Sequence, residues 1–271
     1  MKLSIITINR NNAEGLRKTM ESVFTQTCKE FEYIVVDGAS SDDSVGIIKE
    51  YAQKLEIGDW RLENFKWISE PDTGIYNAMN KGVKMCHGKY TLMLNSGDYL
   101  VDEHVIERIL PEMDGTDIVQ GNLIKEKDEK EYTDRGVGKS DITFIDVMRG
   151  IFLHQSSFCK RELFDKYGYF DESYRINGDT VFYAKCLGFG DATFKYVDQN
   201  IAYFDTTGIS ADPDGKWVVM RKAEDQRYAQ MFTKRMWDLL YKEEKKIKLY
   251  DKLHAHKWSW YITMVIARLL K

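Results

Sequence analysis

A chain of 271 residues, 43% of them hydrophobic, is long enough for one sizeable core with a small appendage. Its formal charge of −4 makes no basic field of the kind a nucleic-acid-binding domain carries, so nucleic acid is not an expected partner. The four cysteines show no C-x-x-C spacing and the five histidines no H-x-x-x-H pair, which argues against a zinc site, and no run reaches the ~20 apolar residues of a membrane-spanning helix.

The apolar start ends at Asn9-Arg10-Asn11-Asn12, too early for a signal-peptide core, and reads as a buried strand over residues 3–8. Leu16, Met20, Val23 and Phe24 then recur at helical spacing. Residues 31–36 form the next β-rich run, followed by a helix with Val45, Ile48, Ala52 and Leu55 on one face. A strand at 65–68, a helix striped by Ile75, Met79, Gly82, Val83 and Cys86, and a strand at 90–94 complete the first hundred residues. This alternation predicts a mostly parallel sheet covered by helices. Beyond it, helices are expected at 104–113, 142–149, 161–167 and 180–187, and strands at 117–122, 193–197 and 201–204. The charged stretch 125–132 reads as a hairpin tip or loop, and from 216 onward the chain turns helical and charged.

Ligands of such sheets bind at the carboxyl ends of the strands. The segments there are Asn9-Arg10, Asp37-Gly38-Ala39-Ser40, Glu70-Pro71-Asp72 and Asn95-Ser96-Gly97-Asp98, three of them acidic, which suits base and ribose contacts plus a metal better than a bare phosphate site. Asp98 offers a hard oxygen ligand for Mn²⁺ or Mg²⁺; equally, Asn, Ser, Gly and Asp are turn formers and can simply end the strand. Asp37 can accept hydrogen bonds from a nucleoside while Ser41 or Asp42 caps the next helix. Asp72 or Thr73 is placed to cap the third helix, whose N-terminal amides could face an anion. Asn77 and Asn80 are poor helix formers inside that helix, so at least one should contact a ligand or a neighbouring loop.

Four collinear segments, Ser4-Ile5-Ile6-Thr7, Tyr33-Ile34-Val35-Val36-Asp37-Gly38-Ala39-Ser40-Ser41-Asp42, Glu70-Pro71-Asp72-Thr73-Gly74-Ile75-Tyr76-Asn77-Ala78-Met79-Asn80-Lys81-Gly82 and Leu94-Asn95-Ser96-Gly97-Asp98, carry a family resemblance. Together they resemble the inverting family-2 glycosyltransferases of GT-A fold, in particular members that build bacterial exopolysaccharide, capsule or O-antigen chains. The resemblance implies an α/β domain with a mixed sheet flanked by helices, a nucleotide-diphosphate sugar donor (UDP-linked), and transfer with inversion to a carbohydrate or lipid-linked glycan. It implies that Thr7, Asp37 and Asp72 line the nucleotide pocket, with Asn9, Gly38, Gly74, Asn77 and Ser96 beside them. Asp98 matches the final carboxylate of the D-x-D-type metal motif, with Ser96 and Gly97 in its other positions; diphosphate oxygens and water would complete the shell of Mn²⁺ or Mg²⁺.

In the second half, His154-Gln155-Ser156-Ser157-Phe158 and the stretch from Tyr169 to Asp179 also resemble the family. Asp179 matches its general base, which must lie within ~3 Å of the acceptor hydroxyl; Gly178 departs from the Glu or Ala more usual there. Asn177 or Asp179 would serve equally well as an N-cap. His154 and Gln155 stand as acceptor-side or phosphate-side candidates, and Gly208 as part of a loop closing over the donor. The catalytic domain is expected over 1–210 and a helical extension over 211–271. The last fourteen residues, with Trp258, Trp260 and flanking Lys257, Arg268 and Lys271, suit a membrane-surface helix or a homodimer seam alike. Scattered thiols suit a cytoplasmic protein, peripheral on the inner face of a membrane if that helix binds lipid. The rival readings are a sugar nucleotidyltransferase, which should carry a glycine-rich loop after the first strand, and a non-catalytic carbohydrate-binding or scaffold protein of the same fold.

Overall fold

The computed structural model describes residues 1–56, 64–127, 130–206 and 217–255. Strands β1 (Leu3–Asn9) and β2 (Phe31–Asp37) are buried along their whole length, as expected for parallel strands covered on both faces. Helices α1 (Ala13–Phe24) and α2 (Ser44–Glu56) alternate with them, followed by β3 (Phe65–Ser69), α3 (Ile75–Met85) and β4 (Tyr90–Met93). The short β5 (Tyr99–Leu100) and α4 (Val105–Ile109) come next, and a 3₁₀ turn over Leu110–Glu112 breaks the expected longer helix where Pro111 removes an N–H. Then come β6 (Ile118–Lys127), β7 (Lys130–Asp134), α5 (Phe144–Arg149), β8 (Ser157–Lys160), α6 (Glu162–Tyr167), α7 (Gly178–Tyr183) and β9 (Phe194–Tyr203). The chain's described part ends with α8 (Val218–Ala229) and α9 (Lys234–Ala255).

The sheet runs β3-β2-β1-β4-β8-β6-β9-β5, with β7 hairpinned onto β6. The first four strands are parallel, as the alternating pattern predicts. β8 enters antiparallel to both β4 and β6, so the sheet is mixed. The expected strands at 193–197 and 201–204 are one strand, β9, whose parallel pairing with β6 slips between Gln120 and Leu123. The helix expected at 180–187 is α7 followed by a π-helical turn over Ala184–Gly188.

Side chains alternate between two covers. Leu3, Ile5, Tyr33 and Val35 join Leu16, Met20, Phe24, Ile48 and Tyr51 in one apolar cluster beneath α1 and α2. On the other face α3 lies close enough that a Cβ at Gly82 would stand 2.3 Å from Ile6 Cγ2 and 3.6 Å from Val36 Cγ2. Compact packing divides the chain into two bodies, Met1–Asp225 and a second from Gln226, with the boundary inside α8. The division expected at 210/211, Gly208 and the stretch 258–271 lie outside the described residues. In the second body, Tyr228, Phe232 and Trp237 pack edge to face, and Trp237 Nε1 donates to the Ala229 carbonyl at 2.9 Å. Among the described residues no helix is long and apolar enough to cross a membrane.

At the amino ends of the strands, the buried Glu32 carboxylate accepts from the Ser4 hydroxyl at 2.7 Å, the Gly88 N–H at 2.9 Å, the Lys66 ammonium at 3.2 Å and the His87 N–H. Burial opposes its ionisation, but these donors prevail and hold the carboxyl down at about 2. A folded value below the unfolded one, about 4.3, makes the charged form stabilising above that pH, and the contribution is lost as pH falls toward 2. Glu32→Gln is therefore expected to lower the urea midpoint at neutral pH and to flatten its decline through the acid range. A mutant whose acid limb keeps the wild-type slope would show that Glu32 is not a source of it.

Candidate active site

Parallel pairing sets Asn9 opposite Asp37, and Asp37 opposite Ser69, in one row at the carboxyl ends of β1, β2 and β3. Asp37 is fully buried. One carboxylate oxygen accepts from Asn9 Nδ2 at 2.9 Å and the Ser40 hydroxyl at 2.5 Å, the other from the Ser40 N–H at 3.0 Å and the Ser69 hydroxyl at 2.7 Å. Burial pushes its pKa up, and these four donors more than reverse that, leaving it below the usual carboxylate range. Asn9 Oδ1, buried beside it, has no hydrogen-bond donor. Gly38 lies under the next acidic loop: a Cβ there would stand 2.1 Å from Asp72 Oδ2. Asp72 accepts from the Gly74 N–H at 3.0 Å and faces the Arg10 guanidinium at 3.5 Å. It does not cap α3, whose N-cap position is Gly74 itself. Asp37, Asp72, Asn9, Gly38 and Gly74 thus share one end of the sheet. Thr7 is drawn inward: fully buried, it donates to the Leu94 carbonyl at 2.7 Å and accepts from the Tyr33 hydroxyl at 3.0 Å, so it braces the strands instead of facing the rim.

The turn from Asn95 to Asp98 is held from three directions. The Ser96 N–H donates to the Ile8 carbonyl at 3.0 Å, and the Ser96 carbonyl accepts from Asn12 Nδ2 at 3.2 Å. Thr19, fully buried on α1, accepts the Gly97 N–H at 3.0 Å and donates to the Asp98 carbonyl at 2.7 Å. Asp98 Oδ1 accepts the Asp205 N–H at 2.8 Å. Gly97 has a positive φ of 103°, and a Cβ there would lie 2.1 Å from Asp205 Oδ2. A side chain at the middle position of the motif is therefore excluded by Asp205, arriving from beyond the end of β9. Burial pushes the Asp98 carboxyl up to about 7, partly opposed by the Asp205 N–H and by His154. Asp98, the Asp205 carboxylate that reaches the turn from beyond β9, and the donor-free Asn95 Oδ1 are oxygens of the hard kind that Mn²⁺ or Mg²⁺ takes. Among the described residues no three His, Cys, Asp or Glu side chains cluster as a ready metal cage, so other ligands would have to complete the shell.

Asp179 stands in the first turn of α7; of the two residues expected as its N-cap, Asn177 takes that position, without a side-chain capping hydrogen bond. Asp179 Oδ2 lies 2.7 Å from His154 Nδ1 and its Oδ1 3.0 Å from the Tyr76 hydroxyl, which also points at the Ile176 carbonyl at 2.6 Å. His154 Nε2 is 3.4 Å from Asn95 Nδ2, so a single line of side chains runs from Asp179 through His154 to the Asp98 turn. Burial would drive His154 neutral, yet Asp179 and Asp98 raise its pKa; burial would likewise raise Asp179, yet His154 lowers it. Gly178 now has a reason: a Cβ there would stand 2.7 Å from the Tyr76 ring. Gln155 is buried on the same short turn as His154.

The loop before α7 is fastened to α3. Asn77 Nδ2 donates to Glu172 Oε2 and Asn80 Nδ2 to Glu172 Oε1, each at 2.9 Å, and Asn80 pairs with both backbone groups of Phe170 at 2.9 and 3.0 Å. Of the two partners expected for these asparagines, the structure supplies the neighbouring loop. Sequence reading missed Asp205, Thr19 and Tyr76. Tyr76 alone stood inside a quoted motif, and no local pattern marked the other two. Past Gly97 and Asp205 opens a cleft of about 370 Å³, bounded by Lys18, Tyr99, Glu126, Glu131 and Tyr203.

A parallel sheet with an acidic carboxyl edge, flanked by helices and continued by antiparallel strands, is the GT-A architecture. Residues 4–162 match the model of glycosyl transferase family 2, and the chain belongs to that family. A PGL/p-HBAD biosynthesis glycosyltransferase of Mycobacterium bovis is 29% identical over 208 residues, 76% of this chain and 77% of that one. An uncharacterized glycosyltransferase of Mycobacterium tuberculosis is 30% identical over 229 residues, 82% and 83% of the two chains. Among solved structures, residues 1–349 of Staphylococcus aureus TarS in complex with UDP-GlcNAc superpose with a TM-score of 0.62 at 18% identity, covering 75% of this chain and 58% of that one. The Pyrobaculum calidifontis mannosyltransferase PcManGT, with GDP-Man and Mn²⁺, gives 0.60 at 15% identity over 99% and 85%.

Gly178→Ala should push the Tyr76 ring off Asp179 and cost about 1–3 kcal/mol of stability from overpacking. Turnover, read as nucleotide release, should fall with it. Wild-type turnover and an unshifted melting temperature would show that the close approach is dispensable.

Proposed function

We propose that this protein transfers a sugar, with inversion, from a UDP-sugar to a hydroxyl of a carbohydrate or lipid-linked glycan in cell-surface glycan synthesis. The observation that carries this reading is the line Asp179–His154–Asn95, which joins a candidate base to the turn of the candidate metal ligand. Asp179 accepts the acceptor's proton as the hydroxyl attacks from the face opposite the diphosphate. His154, with its Nδ1 proton directed at Asp179, fixes the carboxylate's orientation, and Tyr76 bounds its other oxygen. Asp98 and Asp205 would hold Mn²⁺ or Mg²⁺, which would supply positive charge against the departing diphosphate. Asn9 Oδ1, the open acceptor of the row, takes an N–H or hydroxyl of the nucleoside, with Asp72 across the rim. UDP as carrier is supported by the fold's likeness to TarS, solved with UDP-GlcNAc, and the metal by PcManGT, solved with Mn²⁺.

A panel of UDP- and GDP-sugars with Mn²⁺, scored by nucleoside diphosphate release, tests this. Asp179→Asn should cut turnover by about 10²–10⁴-fold with donor binding retained. Asp98→Asn should remove the Mn²⁺-dependent part of UDP affinity. A wild-type protein that neither binds UDP or GDP with Mn²⁺ nor hydrolyses any donor would overturn the proposal, and a scaffold of this fold would lose nothing in either mutant.

A further inference from the structure

The loop that leads into α7 is gripped from a second side by a residue far along the chain. Glu224, on the part of α8 that belongs to the main body, is 4% exposed. Its Oε1 accepts the Arg175 N–H at 2.6 Å, and its Oε2 accepts the N–H groups of Ile176 and Asn177, each at 2.9 Å. Three successive amides converging on one carboxylate form a concave anion seat, here occupied from within the protein. Charge-assisted bonds of this kind are the stronger ones, and removing the acceptor would leave three half-buried donors without a partner. The neighbouring Asp225 adds an acceptor for Asn177 Nδ2 at 2.8 Å.

On the α3 side, the same residues are held by other groups. Tyr76 donates to the Ile176 carbonyl at 2.6 Å, and the Arg175 guanidinium donates to the Thr73 carbonyl beside Gly74. The loop is thus clamped between α3 and α8, and Asp179 follows it by two residues.

We propose that Glu224 is a positioning residue for Asp179: by seating the three amides it fixes where α7 begins, and so where the Asp179 carboxylate meets His154 and the acceptor hydroxyl. This rests on the reading of Asp179 as the base. Glu224 touches no substrate; it acts through the loop. A base displaced by a fraction of an ångström loses much of its effect while the donor site, built on β1, β2 and the Asp98 turn, is untouched.

The full chain is used, with UDP plus Mn²⁺ as the binding probe and the fastest-hydrolysed sugar nucleotide of the donor panel as the turnover probe. Glu224→Gln keeps one acceptor oxygen but turns an NH₂ toward the amides. It should lower the hydrolysis kcat by about 10–100-fold and leave UDP affinity within about twofold. Glu224→Asp, which keeps the charge, should recover part of the loss, and it carries the test if the Gln variant does not fold. In an Asp179→Asn background the Glu224→Gln change should cost nothing further, since both act on the same group. Losses that multiply in the double mutant, a kcat within about twofold of wild type, or an equal loss of UDP binding would each overturn the positioning role. Absence of UDP binding and hydrolysis in the wild type would instead overturn the glycosyl-transfer reading, and this proposal with it.

Discussion

A turn that is largely buried must satisfy its own backbone, and the turn from Asn95 to Asp98 does so by borrowing from three distant segments. β1 accepts the Ser96 amide, Thr19 of α1 both receives the Gly97 amide and donates to the Asp98 carbonyl, and the chain after β9 donates to the Asp98 carboxylate. Buried backbone groups are rarely left unpaired, so these contacts fix the path of the turn. Because the path is fixed, Asp98 projects from rigid backbone, Gly97 yields room to Asp205, and Asn95 reaches His154. The candidate site of this family-2 glycosyltransferase grows out of that one junction.

The second half of the site obeys the same logic with different chemistry. Asp179 lies on a six-residue helix too short to be stiff by itself. Its orientation comes from outside: His154 and Tyr76 on the carboxylate, Glu172 with Asn77 and Asn80 on the preceding loop. Aromatic packing of Phe164, Phe170 and Phe182 fills the space beneath. The carboxylate proposed as the base is thereby held by groups that are themselves fastened by hydrogen bonds, which is the condition for a preorganised site.

What could be read from the sequence was whatever one element announces by itself. The alternation of β-rich runs with helical stripes located β1 to β4 and α1 to α3, because burial on both faces leaves long apolar runs between turn formers. The acidic segments at strand ends stood out for the same local reason. β8 did not, since Ser157 to Lys160 is short and follows a polar turn, and its antiparallel insertion between β4 and β6 is a long-range choice. Thr7 was read as facing the nucleotide, whereas period-two alternation turns it inward onto Tyr33 and Leu94. Asp205, Thr19 and Glu224 carry no local signature at all. Each matters through partners 47 or more residues away, as Glu224 does to Asn177, Thr19 to Asp98 at 79 and Asp205 to Asp98 at 107. Asn77 and Asn80 were recognisable as misfits in a helix, and the loop they serve was one of the two partners foreseen for them.

The place of β5 has a consequence for how the polypeptide comes off the ribosome. It follows β4 by only a few residues, yet it lies at the other end of the sheet, where its hydrogen-bonded neighbour among the described residues is β9, through Tyr99 to Tyr203 and Leu100 to Ala202. The turn from Asn95 to Asp98 lies between β4 and β5 in the chain. Its downstream anchor therefore does not exist until a segment synthesised a hundred residues later has emerged and paired. Non-local pairing of this kind is slow and late. A nascent chain can build the rim of β1 and β2 early, but the Asp98–Asp205 junction closes only after β9 has emerged, so the candidate site is the last part of the domain to be completed.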